Sequence, residues 1–172
     1  SNINFLGFRG EALPSIASVS NLKIESIEKN KSEAWSIQIN NNVFKNFNPS
    51  SRNKGTKVSV NDLFKTVPAR LKFLKSNQGE NAHSQQILKR LAIVNPSIKF
   101  ILKIDDKEVL NLQKEDKNKQ GLKNRVSNIL GKEFLDNSID FKKQIFYEEK
   151  PIIITGIISL PTFNKANQIR QY

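Results

Sequence analysis

Cysteine is absent from the 172 residues and histidine occurs once, at His83. The first absence excludes disulfide staples, thiol nucleophiles and thiolate metal sites, and the second leaves no imidazole pair for zinc. Acidic residues are also in the minority, 16 against 28 Lys and Arg, for a formal net charge of +12. No apolar run approaches the ~20 residues that cross a bilayer. The opening residues lack the basic start and apolar centre of a secretory signal, so a cytoplasmic setting without a membrane partner is expected.

What is present suffices for a folded core: 37% of residues are hydrophobic and 26% charged, which disfavours a disordered charged tract. The length fits one or two domains. Residues 1–74 carry 11 basic and 5 acidic side chains and residues 75–172 carry 17 and 11, so each part is +6 (11 − 5 and 17 − 11). An evenly basic balance favours an anionic partner such as nucleic acid, or simply keeps the chain soluble. Lys89, Arg90, Lys99, Lys103, Lys123, Arg125, Lys142 and Lys143 are candidates for attraction to a phosphate backbone, with no spacing that marks a base-reading element.

Periodicity gives the order of elements. In GEALPSIASVS, Leu13, Ile16 and Ala17 at helical spacing predict a short helix entered through a glycine loop, with Pro14 early enough to be tolerated. NLKIESI and AWSIQI alternate as strands, and TKVSVNDLF puts Thr56, Val58 and Val60 on one strand face. The Asn- and Ser-rich patch NNNVFKNFNPSSRNKG separates AWSIQI from TKVSVNDLF. PARLKFLK predicts a helix beginning at Pro68, with Phe73 and Leu74 packing it. KSNQGE at 75–80 is the expected domain boundary or mobile connection. Beyond it come a helix with Ile87, Leu88, Leu91 and Ala92 as its apolar stripe and Pro96 as its stop, then a hairpin from SIKFILKI and EVLNL around DDK. A helix in LKNRVSNILG with Leu122, Val126, Ile129 and Leu130 and a strand in PIIITGIISLP complete the series.

GFRGEAL at 7–13 has phosphate-binding chemistry: two glycines permit close backbone approach, Arg9 is cationic, and a helix start offers free amides. The plain structural alternative is a glycine turn with Arg9 and Glu11 solvated or paired. Glu11 would repel phosphate directly, so it is expected to position or cap. For Thr56 ordinary strand packing is the default. Asp62 in NDLF suits a strand-end cap or turn, Arg70 and Lys72 a solvated helix face, and His83 a surface or cap-region position rather than an acid-base role.

GFRGEALPSIASVS at 7–20 and GTKVSVNDLFKTVPARLKFLK at 55–75, in this order and separation, resemble two characteristic stretches of the MutL family of DNA mismatch-repair proteins. The resemblance extends, less distinctively, over essentially the whole chain. It implies an α+β fold: residues 1–76 as the carboxyl-terminal part of a Bergerat-type ATPase domain with the end of its ATP lid, and 77–172 as the first part of a ribosomal-protein-S5-like transducer domain. It places Gly7, Phe8, Arg9, Gly10, Glu11, Ala12 and Leu13 at the lid end and phosphate-contacting helix start, and Gly55 and Thr56 in the later nucleotide motif on a strand. One stretch departs from the family, with Lys65, Thr66 and Val67 where a Tyr-like residue, Asn and Thr are usual, so that loop's hydrogen bonding is not carried over.

The resemblance further implies a parent protein that binds ATP and Mg2+, hydrolyses ATP weakly, forms a homodimer, binds DNA and signals from a MutS-type mismatch-recognition partner. The family's water-activating Glu, magnesium-holding Asn and adenine-reading Asp-Gly motif have no counterpart in these residues, nor do its Asn-Gly-Arg stretch and phosphate-reaching Lys. The chain alone is therefore expected to be catalytically inactive. The alternative from another class is a nonenzymatic basic nucleic-acid-binding or adaptor module; another Bergerat-fold ATPase of the gyrase or chaperone type fits the paired motifs less well.

Overall fold

The computed structural model describes Gly7 and residues 9–163. Two compact units divide between Leu74 and Lys75, two residues before the break expected after 76.

In the first unit, helix α1 (Ala12–Ala17) leads into a four-stranded antiparallel sheet of β1 (Asn21–Ile27), β2 (Ala34–Asn40), β3 (Val43–Ser50) and β4 (Gly55–Asn61), ordered β3-β2-β1-β4. The register aligns alternation into faces. Leu22 stands between Ile39 and Val60, Ile24 between Ile37 and Val58, and Ser26 between Trp35 and Thr56, while Lys23 and Glu25 oppose polar neighbours on the other face. Leu22 and Ala17 are buried where α1 packs on β1, and Ser20 closes that junction, its hydroxyl donating to the Ile16 carbonyl at 2.6 Å. The rest of the apolar face is open: Phe44, Phe47, Val58 and Val60 are all more than 40% exposed. Trp35 stacks on Phe47 with centroids 4.8 Å apart and planes 8° from parallel.

Strand β3 lies in the Asn-rich patch, to which periodicity assigned no element. It is an edge strand, so Pro49 lacks only a donor that an edge can spare. Helix α2 (Pro68–Leu71) starts at Pro68 as expected but lasts four residues, and Phe73 just beyond it is 87% exposed, so Phe73 does not pack this helix.

The second unit begins with α3 (Asn77–Val94), and this corrects the mobile connection expected at 75–80. Ser76 caps the helix by accepting from the Gly79 amide at 3.3 Å, and Glu80 accepts from the Lys75 amide at 2.9 Å. Of its expected stripe only Ala92 is fully buried; Ile87 and Leu91 are exposed. The hairpin of β5 (Phe100–Ile104) and β6 (Lys107–Leu112) turns through Asp105 and Asp106, both at positive φ. Helix α4 (Lys119–Leu130) is capped by Asn118, whose side chain accepts from the Gly121 amide at 2.8 Å, and Gly131 leads into α5 (Lys132–Asp136). Strands β7 (Ser138–Tyr147) and β8 (Lys150–Ser159) form a ten-pair hairpin, of which periodicity foresaw only β8.

Candidate functional site

The glycine motif surrounds the start of α1. Gly10 adopts φ +68°, a conformation that favours glycine, and among the described residues nothing lies within 4 Å of where its Cβ would stand. Glu11 occupies the N-cap position, but its carboxylate makes no capping hydrogen bond, and the capping half of its expected role is corrected. Ala12 opens the helix and Leu13 is exposed. Gly7 and Arg9 are exposed as well, and Phe8 lies outside the described residues. The six-residue helix holds few aligned peptides, so any attraction for anions rests on its free amides more than on a macrodipole.

Thr56 stands on β4 beside Ser26 of β1, and their hydroxyl oxygens are 2.8 Å apart. It is exposed, so the side chain does not serve the interior packing that a strand threonine would ordinarily serve. Gly55 before it has φ +113° with open space at its Cβ, which admits only glycine comfortably. Ser26 also lines an open depression with Glu28, Lys31, Ser32, Glu33 and Trp35, a feature no sequence motif announced. The two motifs attach near opposite ends of β1: α1 hands over at Asn21, and Thr56 pairs with Ser26, about 17 Å along the strand at ~3.3 Å per residue.

The segment after β4 is held by residues that match the family stretch, Asp62, Phe64 and Arg70, together with Lys65 and Thr66, which depart from it. Asp62 turns the chain at φ 55°, accepts from the Asn21 amide group at 2.8 Å and pairs with Lys65 at 3.4 Å, as a strand-end turn residue should. Thr66 donates to the Asn41 side chain at 3.0 Å, so this departure from the pattern ties the segment to the β2–β3 turn. Phe64, at φ 62°, donates its amide to the Val19 carbonyl at 2.8 Å, and the Arg70 guanidinium lies 5.9 Å from its ring centroid. Arg70 therefore covers an aromatic face rather than standing on a merely solvated one.

The candidate phosphate-attracting cations do not form one set. Lys99, Lys103, Lys142 and Lys143 are exposed, as is Arg90. Lys123 joins Lys119 on the Asp140 carboxylate, at 3.0 and 2.8 Å. Hydrogen bonding to Lys119 first, then Lys123, lowers the Asp140 pKa below its ordinary 3.8. Arg125 is a correction: it is fully buried and spends its donors on backbone carbonyls, so it cannot meet a phosphate backbone. His83 is exposed on α3, in keeping with a surface role. No group of three His, Cys, Asp or Glu capable of holding a metal occurs among the described residues.

No family model matches the chain. The DNA mismatch repair protein MutL of Bartonella bacilliformis is 40% identical over 172 residues, covering 100% of this chain and 28% of that protein. The chain belongs to the MutL family. MutL of Rickettsia bellii is 38% identical over 174 aligned positions, again covering 28% of its length, so the chain spans little more than a quarter of these relatives. Among solved structures, the Aquifex aeolicus MutL ATPase domain complexed with ADP matches with TM-score 0.68 and 27% identity over 83% of this chain and 62% of that one. The N-terminal domain of a DNA repair protein matches with TM-score 0.77 over 97% of this chain and 53% of that one, at 22% identity, which shows the fold alone. The fold is thus that of the MutL ATPase region, Bergerat-type with mixed α/β topology. Among the described residues no helix is long and apolar enough to cross a membrane.

Proposed function

We propose that this chain is a middle piece of the amino-terminal arm of a MutL-type mismatch-repair protein, whose parent couples ATP binding and weak hydrolysis to homodimerisation, DNA binding and signalling from a MutS-type partner. The observation that carries the reading is the 40% identity to a MutL protein across every residue of the chain. In this reading residues 1–76 are the carboxyl-terminal part of the ATPase domain and 77–172 the first part of an S5-like transducer domain. The setting is cytoplasmic, and the isolated chain does not hydrolyse ATP.

ATP supplies binding energy and a transferable phosphoryl group to the parent. The chain's own contribution is to bind and orient. Gly10 stands at a helix start with no described residue within 4 Å of its Cβ position, which fits the approach of phosphate oxygens. Thr56 presents a hydroxyl whose direction is set by Ser26, which fits an oriented hydrogen bond to a base or its water. The described residues do not make a magnesium shell of their own. Magnesium belongs to the nucleotide site of the intact parent.

In the full-length parent, Thr56→Val is expected to weaken ATP binding about tenfold, the worth of one hydrogen bond to a ligand left unpaired. Equilibrium titration with a fluorescent ATP analogue measures it, alongside the thermal midpoint. Undiminished affinity in a normally stable variant would remove Thr56 from the nucleotide site.

A further inference from the structure

The inner face of α4 carries a charge where an apolar residue would be expected. Gly121, Arg125 and Val126 are its buried residues. The guanidinium of Arg125, with no exposed surface, places Nη2 at 2.8, 2.8 and 2.7 Å from the carbonyl oxygens of Pro96, Ile98 and Gln113, which share its two N–H groups, and donates through Nη1 to that of Ala92 at 3.3 Å. Its Cζ lies 5.7 Å from the Phe100 ring centroid, and among the described residues Nε has no partner. No carboxylate touches it in the ion pairs described; Glu115 acts only as a nearby charge, and burial lowers the guanidinium pKa from its ordinary value.

The four carbonyls come from three places, two of which, the entry to β5 and the exit of β6, are also joined by the Glu115 amide donating to the Pro96 carbonyl. Ala92 is in the last turn of α3, where carbonyls lack helical partners. Pro96 and Ile98 belong to the turn into β5, and Gln113 follows β6. The Pro96 carbonyl also accepts from the Glu115 amide at 2.9 Å, so the guanidinium is a second donor there, and a cation is the strongest donor available to the set. A lysine ammonium is a single nitrogen and cannot meet the Ala92 carbonyl together with the three around Nη2, whereas a guanidinium spreads its donors over a planar fork.

We infer that Arg125 is a guanidinium-specific tie, a tethered cation closing a carbonyl cage, that locks the end of α3, the entry to β5 and the exit of β6 to α4. Any displacement of α4 along these segments must break all four contacts together, so the unit holds one arrangement rather than sliding among several.

Hydrogen exchange of the full chain tests this, with Arg125→Ala and Arg125→Lys. Arg125→Ala should speed exchange in residues 92–100 and 111–118 by about 10- to 100-fold, as loss of the shared cationic donors requires, while β1–β4 stay unchanged. Guanidinium at a few millimolar, below denaturing concentration, should restore protection, and sodium chloride at equal ionic strength should not. Arg125→Lys should remain loosened. Native protection in either variant, no rescue by guanidinium, or equal rescue by sodium chloride overturns the tie. If Arg125→Ala yields no folded second unit, Arg125→Lys decides alone: loosened exchange supports the tie and native exchange overturns it.

Discussion

Single residues show where side-chain identity is non-negotiable. Gly121 is the sharpest case: a Cβ there would drive into the Asp116 carbonyl oxygen well inside contact distance, and that atom is backbone. Its amide also takes the Asn118 cap. Gly121→Ala should therefore destabilise the second unit by about 2–3 kcal/mol, the scale of a steric clash without room to relax, even though alanine is the better helix former. Urea unfolding followed by a probe in that unit measures it, and a neutral or stabilising result would mean the 116–121 segment yields freely. Asp62 was legible in the sequence because turn chemistry is local. Arg125 was not, because nothing in LKNRVSNILG distinguishes a buried arginine from a surface one; only the convergence of four distant carbonyls does.

At the scale of elements, legibility followed periodicity. β1, β2 and β4 alternate cleanly and appear where expected, as does the β5–β6 hairpin around its two aspartates. β7 escaped notice because Asp140, Lys142 and Lys143 interrupt its apolar residues, and its pairing with β8, ten residues against ten, supplies the order that composition did not signal. Asp140 also binds this hairpin to α4 through Lys119 and Lys123. Its folded pKa lies below that of an unfolded aspartate, so its contribution is present above the ordinary carboxylate range and is lost as pH falls through the folded value. The urea midpoints of the native chain and Asp140→Asn should accordingly differ by a constant amount from pH 7 to pH 5 and converge in strongly acidic buffer. Salt should narrow the gap at neutral pH, since all three side chains meet solvent. A gap that widens toward acid would contradict the assignment.

For the molecule as a whole, the open sheet face is the feature with the largest consequence. Phe44 and Phe47 are 57% and 58% exposed, on the same face as half-buried Ile37 and Ile39. A patch of this kind on an isolated chain promotes association. Phe44→Ser with Phe47→Ser should shift sedimentation of the isolated chain toward monomer at tens of micromolar, and an unchanged distribution would show that the face is not adhesive. The residues alone determined the basic balance, the exclusion of thiol chemistry, the two MutL-like motifs and the phases of most strands, since each depends on composition or on neighbours a few positions apart. Tertiary structure decided which alternating faces are covered, that Thr56 meets Ser26, that Thr66 holds Asn41, and that one of the eight candidate DNA-facing cations is an interior tie. Those outcomes depend on groups tens of residues apart being brought within hydrogen-bonding distance, and local sequence carries no record of the partner.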